Sequence, residues 1–194
     1  MRKLKLQVQI SIDGFVAGPE GELDWMTWNW DDEIKKYVNN LHSAIDTILL
    51  GRKMTDGFIT HWSSVVDKRD ESTKELKENY EFAKKMIEIP KVVFTKTVNE
   101  HNWINTTLAK GDLTEEIKKL KEKSGKDIIV YGGAGFVSSL VKNNLIDEYY
   151  LFINPTAIGK GLEIFGGLNN KMNLNLTESI AFKCGIVLNK YNHN

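Results

Sequence analysis

A glycine-rich turn is the part of this chain whose residue types and spacing best suit phosphate binding. It comprises Tyr131, Gly132, Gly133, Ala134 and Gly135. The mainly apolar run 127–130 before it (Asp-Ile-Ile-Val) is typical of a strand, and the apolar positions after it recur at helical spacing. A strand, a glycine turn and a helix in this order direct backbone N–H groups and a positive helix end at an anion. The glycines would let a diphosphate approach closely, although many such turns are only connections.

Residues that could contact a ligand lie at or just after the ends of three other predicted strands. They are Ser11 and Asp13 after the first strand, Gly51, Arg52 and Lys53 after the second, and Thr95 and Lys96 after the third. Ligands of open α/β sheets bind beyond the carboxyl ends of the parallel strands. The pairs at 52–53 and 95–96 would suit an additional phosphate, such as the 2′-phosphate that distinguishes NADPH from NADH. The alternative is that each cation only points to water, as most Lys and Arg side chains do.

The apolar periodicity predicts the elements that must position these residues. Strands are expected at residues 4–12, 47–50, 91–95, 103–105, 127–131 and 148–154, and helices at residues 31–44, 52–58, 72–87, 113–123 and 135–143. Residues 60–72 are interpreted as an exposed excursion and residues 173–191 as an antiparallel hairpin. The pattern indicates one α/β domain over residues 1–194, with a central, mostly parallel mixed sheet flanked by helices and an antiparallel C-terminal hairpin.

The composition restricts the class of protein. Acidic and basic residues balance at 26 each, so no net charge favours nucleic acid or an anionic membrane as a partner. The single cysteine, Cys184, excludes an internal disulfide framework and a multi-cysteine metal site, and we expect no metal. Charged residues follow Met1 and no long apolar segment occurs, so we expect a cytoplasmic protein that binds a small molecule.

An ordered set of motifs resembles the dihydrofolate reductase-like superfamily, in particular its bacterial branch similar to the reductase domain of riboflavin biosynthesis. The motifs are residues 11–17 (Ser-Ile-Asp-Gly-Phe-Val-Ala), 50–54 (Leu-Gly-Arg-Lys-Met), 93–97 (Val-Phe-Thr-Lys-Thr), the glycine turn, 145–148 (Leu-Ile-Asp-Glu) and 155–161 (Pro-Thr-Ala-Ile-Gly-Lys-Gly). Each motif is common alone, but their order and spacing cover most of the chain and are specific as a set. The resemblance implies a single-domain dihydrofolate reductase-like fold.

The resemblance also implies an NADPH-dependent reductase that forms a homodimer. The cofactor diphosphate is then expected on the glycine turn and on the helix that begins at Arg52. The adenosine 2′-phosphate is expected near Arg52, Thr95 and Lys96, and the nicotinamide against Val16 and Ala17. In such enzymes the protein mainly holds the hydride donor against an electrophilic carbon and excludes water.

Two carboxylates are candidates for supporting proton transfer. Folate reductases carry such a carboxylate on the first helix, and Asp32, with acidic neighbours on both sides, is the candidate here. Asp13 is the second candidate, because it follows the first strand and would face the crevice. The alternatives are that Asp32 is an ordinary acidic residue of a first helical turn, and that Asp13 shapes the turn before Gly14.

Tryptophans in the loop before the first helix are candidates for substrate binding. Trp25 and Trp28 would provide an apolar wall for a planar heteroaromatic ring. The alternative is a lid that packs on the core, or a dimer contact. Together these features favour an NADPH-dependent reductase of a small planar nitrogen heterocycle, pterin-like or pyrimidine-like. A nucleotide-binding protein of the same fold without reductase activity, or an oligomeric scaffold, is the alternative.

Overall fold

Eight strands form one sheet across residues 1–193, the part of the chain that this computed structural model describes. They are β1 (Leu4–Ser11), β2 (Ile45–Gly51), β3 (Lys91–Phe94), β4 (Thr106–Ala109), β5 (Asp127–Val130), β6 (Glu148–Asn154), β7 (Leu174–Ala181) and β8 (Val187–His193). Their order is β4-β3-β2-β5-β1-β6-β8-β7. The strands β1 to β6 are parallel, and β8 pairs antiparallel with both β6 and β7. The predicted mostly parallel mixed sheet with an antiparallel C-terminal hairpin is confirmed.

Five helices cover the two faces of the sheet over the same described residues. They are α1 (Asp32–Ser43), α2 (Arg52–Asp67), α3 (Lys74–Glu88), α4 (Leu113–Glu122) and α5 (Ala134–Lys142). The apolar stripes of α4 and α5, represented by Ile117 and Leu140, pack in one core layer with Leu49 of β2. The stripes of α1 and α3, represented by Val38 and Met86, pack in a second layer with its neighbour Ile48. Since successive strand residues point to opposite faces, the two layers lie on opposite sides of the sheet.

The second helix is longer than predicted. The helix expected to end near Phe58 and the exposed excursion expected at residues 60–72 are wrong, because α2 continues to Asp67. Phe58 and Trp62, one helical turn apart, lie edge to face with ring centroids 6.3 Å apart. Trp62 also contacts Phe82 of α3 at a centroid distance of 5.3 Å. The packing of α2 on α3 therefore keeps this polar-looking segment helical.

The strand expected at residues 103–105 is also wrong. The strand β4 begins three residues after Trp103 and pairs with β3 in parallel from Thr106 to Ala109. Trp103 instead lies against α2, where its indole N–H donates a hydrogen bond to Asp56 at 2.8 Å. This contact removes the tryptophan from the sheet and places it beside the start of α2.

A crevice forms at the carboxyl edge because the central strands end at different levels. The last pair between β1 and β5 is Leu6 with Val130, whereas β1 stays paired with β6 as far as Ser11 and Asn154. Residues 7–11 of β1 therefore extend beyond the end of β5. The chain leaves β1 towards α1 on one face and leaves β5 towards α5 on the other face. Ligands of open α/β sheets bind at such a change of direction.

The opposite, amino edge of the sheet contains a network of ion pairs around Glu148. Its carboxylate accepts hydrogen bonds from Lys3 Nζ at 2.6 Å and from the Tyr150 hydroxyl at 2.7 Å. Lys5 Nζ lies 3.9 Å from Glu148 and 2.9 Å from Asp127. Burial alone would raise the pKa of Glu148, but these hydrogen bonds and nearby lysines hold it below its ordinary value. The network joins the amino ends of β1, β5 and β6, away from the crevice.

Candidate active site

Helices that begin at the carboxyl edge of the sheet differ in how their first N–H groups are satisfied. The side chain of Asp31 caps α1, and the side chain of Asp112 caps α4. The N-caps of α2 and α5 are Gly51 and Gly133, which have no side chain for capping. In the described part of the chain, the first turns of α2 and α5 also contain no acidic residue. These two helix ends therefore present N–H groups and a partial positive charge to an anion.

Close contact between the elements brings these two helix ends together. A Cβ atom at Gly51 would lie 2.8 Å from the Cβ of Phe136, so the end of β2 meets the first turns of α5. A Cβ atom at Gly132 would lie 3.6 Å from Sδ of Met54 in α2. Gly133 adopts a φ of +80°, a backbone conformation that favours glycine. The glycine turn and the start of α2 thus form one continuous surface.

This surface is open to solvent at Gly135. A Cβ atom at Gly135 would have nothing within 4 Å, so the first turn of α5 faces open space there. Ala134, the first residue of the helix, is partly buried beside it. The predicted glycine turn is therefore accessible from outside the protein, and its residues fit a phosphate-containing ligand.

Arg52 at the start of α2 is held by two neighbours. Its Nη1 lies 2.9 Å from Oδ2 of Asp56, one helical turn further on, and its Cζ lies 5.5 Å from the ring centroid of Trp103. Asp56 joins all three side chains, because Oδ1 accepts the hydrogen bond from the Trp103 indole. Neither Asp56 nor Trp103 was predicted as a site residue. Asp56 stands four positions after Arg52, which is a recognisable helix-pair spacing, whereas nothing in the sequence locates Trp103.

The other predicted cationic residues lie next to Arg52. Gly51 pairs with Phe94 across β2 and β3, so the residues that follow these strands leave the sheet side by side. Lys53 and Lys96 are both exposed there. The Thr95 hydroxyl accepts hydrogen bonds from the N–H groups of residues 97 and 98, at 3.2 and 3.1 Å. The structure therefore brings the predicted phosphate residues together, and Thr95 is buried and shapes its own turn.

The loop after β1 is fixed to the loop after β6. The Val16 N–H donates to the Leu162 carbonyl at 2.9 Å, and the Leu162 N–H donates to the Ala17 carbonyl at 2.8 Å. The Asp13 carboxylate accepts hydrogen bonds from Ser11 Oγ at 2.6 Å and from the backbone N–H of Gly159 at 2.7 Å. The hydrogen bond from Ser11 is the main reason that the pKa of Asp13 lies below its ordinary value. These contacts give Asp13 a structural role, and its catalytic role stays a prediction.

The acidic residues at the start of α1 have different surroundings. One carboxylate oxygen of Asp31 accepts hydrogen bonds from the N–H groups of Glu33 and Ile34, both at 3.0 Å, and the other accepts one from Cys184 N–H at 3.0 Å. The hydrogen bond from Ile34 is the main cause that lowers the pKa of Asp31. Asp32, the predicted carboxylate, is exposed on the first turn of the helix. Its role in proton transfer also stays a prediction.

The tryptophan-bearing loop, residues 25–30, is only partly exposed. Trp30 stacks on Phe152 of β6, with ring centroids 6.3 Å apart and planes 13° apart, so it belongs to the core layer. Trp28 is 63% exposed. The Trp25 indole N–H donates to the Glu22 carbonyl at 3.2 Å. Trp25 and Trp28 therefore remain the candidates for contact with a ligand, and Trp30 holds the loop in place.

Two amide side chains that the sequence analysis did not single out lie beneath this loop. Asn154, which is fully buried at the end of β6, accepts a hydrogen bond from the Thr27 N–H at 2.8 Å. Its Nδ2 donates to Gln9 Oε1 in β1 at 3.0 Å. The sequence signal for them was weak, because Gln9 is one of several polar residues in β1 and Asn154 is the last residue of β6. Within residues 1–193, no cluster of three or more His, Cys, Asp or Glu side chains could hold a metal ion, and no helix could span a membrane.

Comparison with known proteins relates the chain to one family and one fold. Residues 2–188 match the family described as RibD C-terminal domain. The chain is 32% identical over 194 residues to the uncharacterized protein YyaP of Bacillus subtilis (strain 168), and the match covers 100% of this chain and 96% of YyaP.

Solved structures show the same fold at lower identity. A diaminohydroxyphosphoribosylaminopyrimidine deaminase/5-amino-6-(5-phosphoribosylamino)uracil reductase from Thermotoga maritima matches with a TM-score of 0.66 and 18% identity, over 100% of this chain and 57% of that one. Dihydrofolate reductase from Enterococcus faecalis, complexed with NADP(H), matches with a TM-score of 0.59 and 16% identity, over 99% of this chain and 96% of that one. The expected dihydrofolate reductase-like fold is confirmed.

Proposed function

The chain belongs to the RibD C-terminal domain family, and from this premise we propose that it is an NADPH-dependent reductase of a small planar nitrogen heterocycle, pyrimidine-like or pterin-like. Two similar structures support the choice of cofactor and substrate class. The Thermotoga maritima protein is named as a uracil reductase, and the Enterococcus faecalis dihydrofolate reductase is complexed with NADP(H).

The observation that carries the proposal is the pair of uncapped helix ends at the crevice. Among the helices that begin at this edge, α1 and α4 are capped by aspartate side chains, whereas α2 and α5 begin with glycine. A capping carboxylate would compete with a phosphate for the same N–H groups, so an uncapped start is what a diphosphate site requires. Arg52 adds a cation where the adenosine 2′-phosphate of NADPH is expected.

The residues around the crevice have distinct roles in this proposal. The first N–H groups of α5 and α2 hold the cofactor diphosphate, and Val16 and Ala17, fixed by Leu162, support the nicotinamide. NADPH, when bound, supplies a hydride from C4 of its nicotinamide. The tryptophan-bearing loop covers one side of the substrate ring. Asp32 is proposed to support the accompanying proton transfer, through solvent because its side chain is exposed.

One observation favours the second candidate function, a dinucleotide-binding protein without reductase activity. The carboxylates of Asp13 and Asp31 are occupied by backbone and hydroxyl hydrogen bonds, and both have a lowered pKa. A carboxylate that acts as a general acid needs a raised pKa or a route to the substrate. Asp13 and Asp31 therefore make poor proton donors, which leaves the reaction dependent on Asp32 or on water.

The first experiment is titration of the protein with NADPH and with NADH, followed by the fluorescence of its five tryptophans. We expect tighter binding of NADPH. Oxidation of NADPH is then measured with 5-amino-6-(5-phosphoribosylamino)uracil and with dihydrofolate as acceptors. Turnover with either acceptor supports the reductase, and binding without turnover supports the second candidate. Binding of neither dinucleotide contradicts both functions.

A further inference from the structure

A chain of amide hydrogen bonds joins the tryptophan-bearing loop to the floor of the crevice. The Thr27 backbone N–H donates to Asn154 Oδ1, and Asn154 Nδ2 donates to Gln9 Oε1. A backbone N–H can only donate, so it fixes which end of the Asn154 amide faces the loop. The NH₂ group of Asn154 then faces Gln9, so the side-chain oxygen of Gln9 must accept its hydrogen bond. The backbone therefore sets the orientation of both side-chain amides.

Within residues 1–193, this arrangement leaves the Nε2 of Gln9, with two N–H donors, without a protein partner and not fully buried. Over the same residues, the fully buried side-chain atoms that lack a hydrogen-bond partner are Gln7 Oε1 and Asn192 Oδ1. Gln9 Nε2 is not one of them, so it keeps some solvent exposure. Gln9 keeps partial solvent contact although β1 is an interior strand of the sheet.

The position of Gln9 places these donors in the crevice. It lies three residues beyond Leu6, the last residue of β1 that pairs with β5. On its other side, β1 is still paired with β6, and Gln9 lies opposite Phe152. Trp30 stacks on the ring of Phe152. Gln9 is therefore beside the start of the glycine turn and below the tryptophan-bearing loop.

We propose that Gln9 determines substrate specificity by donating a hydrogen bond from Nε2 to a carbonyl oxygen of the substrate ring. The inference rests on the proposed function, and it favours a substrate ring that carries an oxo group at this position over one that carries an amino group there. A ring amino group at the same place would bring its N–H donors against those of Gln9. Both groups would then lack an acceptor, which would lower the binding affinity substantially. Asn154 is a positioning residue, because it prevents the Gln9 amide from turning its oxygen to the ligand.

The test uses two probes with the same ring, 6-aminouracil and 2,4,6-triaminopyrimidine, which carry carbonyl or amino groups at the same positions. Their affinities are measured by calorimetry for the full chain saturated with NADP⁺. We expect wild type to bind 6-aminouracil at least about tenfold more tightly than the triamine. Gln9→Met removes the N–H donors but keeps a side chain of similar size, and it should weaken the binding of 6-aminouracil about three- to tenfold. Gln9→Glu presents only acceptors, and should shift the preference towards the triamine.

Asn175→Asp provides the matched control, because it makes the same amide-to-carboxylate change on β7, which β6 and β8 separate from β1. It should leave both probe affinities unchanged, and thermal unfolding shows whether each variant is folded. Absence of NADP⁺ or NADPH binding in wild type would contradict the proposed function itself. Two outcomes with normal cofactor binding would overturn the role of Gln9. One is the absence of measurable 6-aminouracil binding, and the other is the same probe preference in wild type and in both Gln9 variants.

Discussion

Replacing Arg52 by glutamine should weaken NADPH binding and leave NADH binding nearly unchanged. A charge-assisted hydrogen bond to a phosphate contributes about 1.5–3 kcal/mol. The Arg52 side chain is 41% exposed, so solvent screens its charge, and Asp56 competes for its guanidinium at 2.9 Å. We therefore expect a loss near the lower limit, about 1–2 kcal/mol, which corresponds to about a five- to thirtyfold increase in the Kd of NADPH.

Asp56→Asn should have the opposite effect on NADPH affinity, because it frees the Arg52 guanidinium from its competitor. The amide oxygen can still accept the hydrogen bond from Trp103, but the ion pair with Arg52 is lost. An exposed ion pair contributes about 0.2–1 kcal/mol, so the affinity for NADPH should rise by up to about fivefold. Both changes are measured by tryptophan fluorescence at low and at high salt, and both should become smaller at high salt because charges are screened.

The ratio of the two dinucleotide affinities decides the outcome. An equal loss of NADPH and NADH binding in Arg52→Gln would mean that Arg52 contacts the shared diphosphate or orders α2, and does not recognise the 2′-phosphate. An unchanged NADPH affinity in Asp56→Asn would mean that Asp56 does not compete with the cofactor. The first result refutes the assignment of the 2′-phosphate to Arg52, and the second refutes only the competition between Asp56 and the cofactor.

Three further changes test other parts of the structure. Gly135→Ala should lower the affinity for NADPH about tenfold, because the new Cβ enters the space assigned to the diphosphate. Gly57→Ala is the control, because Gly57 also lies in a helix with open space around it, and it should leave the affinity unchanged in the same titration. Burial lowers the pKa of His42 from 6.5 to about 4, so wild type should lose stability relative to His42→Gln as pH falls from 6.5 to 4, by about 1.4 kcal/mol per pH unit in urea unfolding. A parallel loss in both proteins would exclude His42 as the cause. Burial lowers the pKa of Lys91 from 10.5 to about 8, so wild type should gain stability relative to Lys91→Met as pH rises from 8 to 10, and a flat difference would contradict this.

Most elements of the fold follow from apolar spacing, and the exceptions have local causes. The α2 segment after Phe58 is rich in polar residues, and only its contact with α3 through Trp62 and Phe82 shows why it stays helical. In β4 only Ala109 is buried, because it is an edge strand. The four residues of β4, Thr-Thr-Leu-Ala, are too few to show a clear apolar alternation, so the position of this strand was not evident from the sequence.

The candidate site was predictable where a motif specifies backbone geometry. The glycine turn follows from residue types alone, because a glycine with positive φ before a helix has few substitutes. The hydrogen bonds that occupy the side chains of Asp13 and Thr95 were not predictable, because a sequence does not show whether an oxygen is already used locally. Gln9 and Asn154 were missed for a different reason, since they meet only when β1 and β6 pair, 145 residues apart in sequence.

The ion-pair network around Glu148 has a consequence for how this protein can evolve. It ties β1, β5 and β6 together at the amino edge, at the end of the strands away from the crevice loops. Mutations of exposed residues in those loops, such as Trp28, can therefore change ligand contacts at little cost to folding, because they leave the ion pairs and both core layers intact. A scaffold with this separation can acquire a new substrate through a few substitutions at one edge while the other edge preserves its architecture.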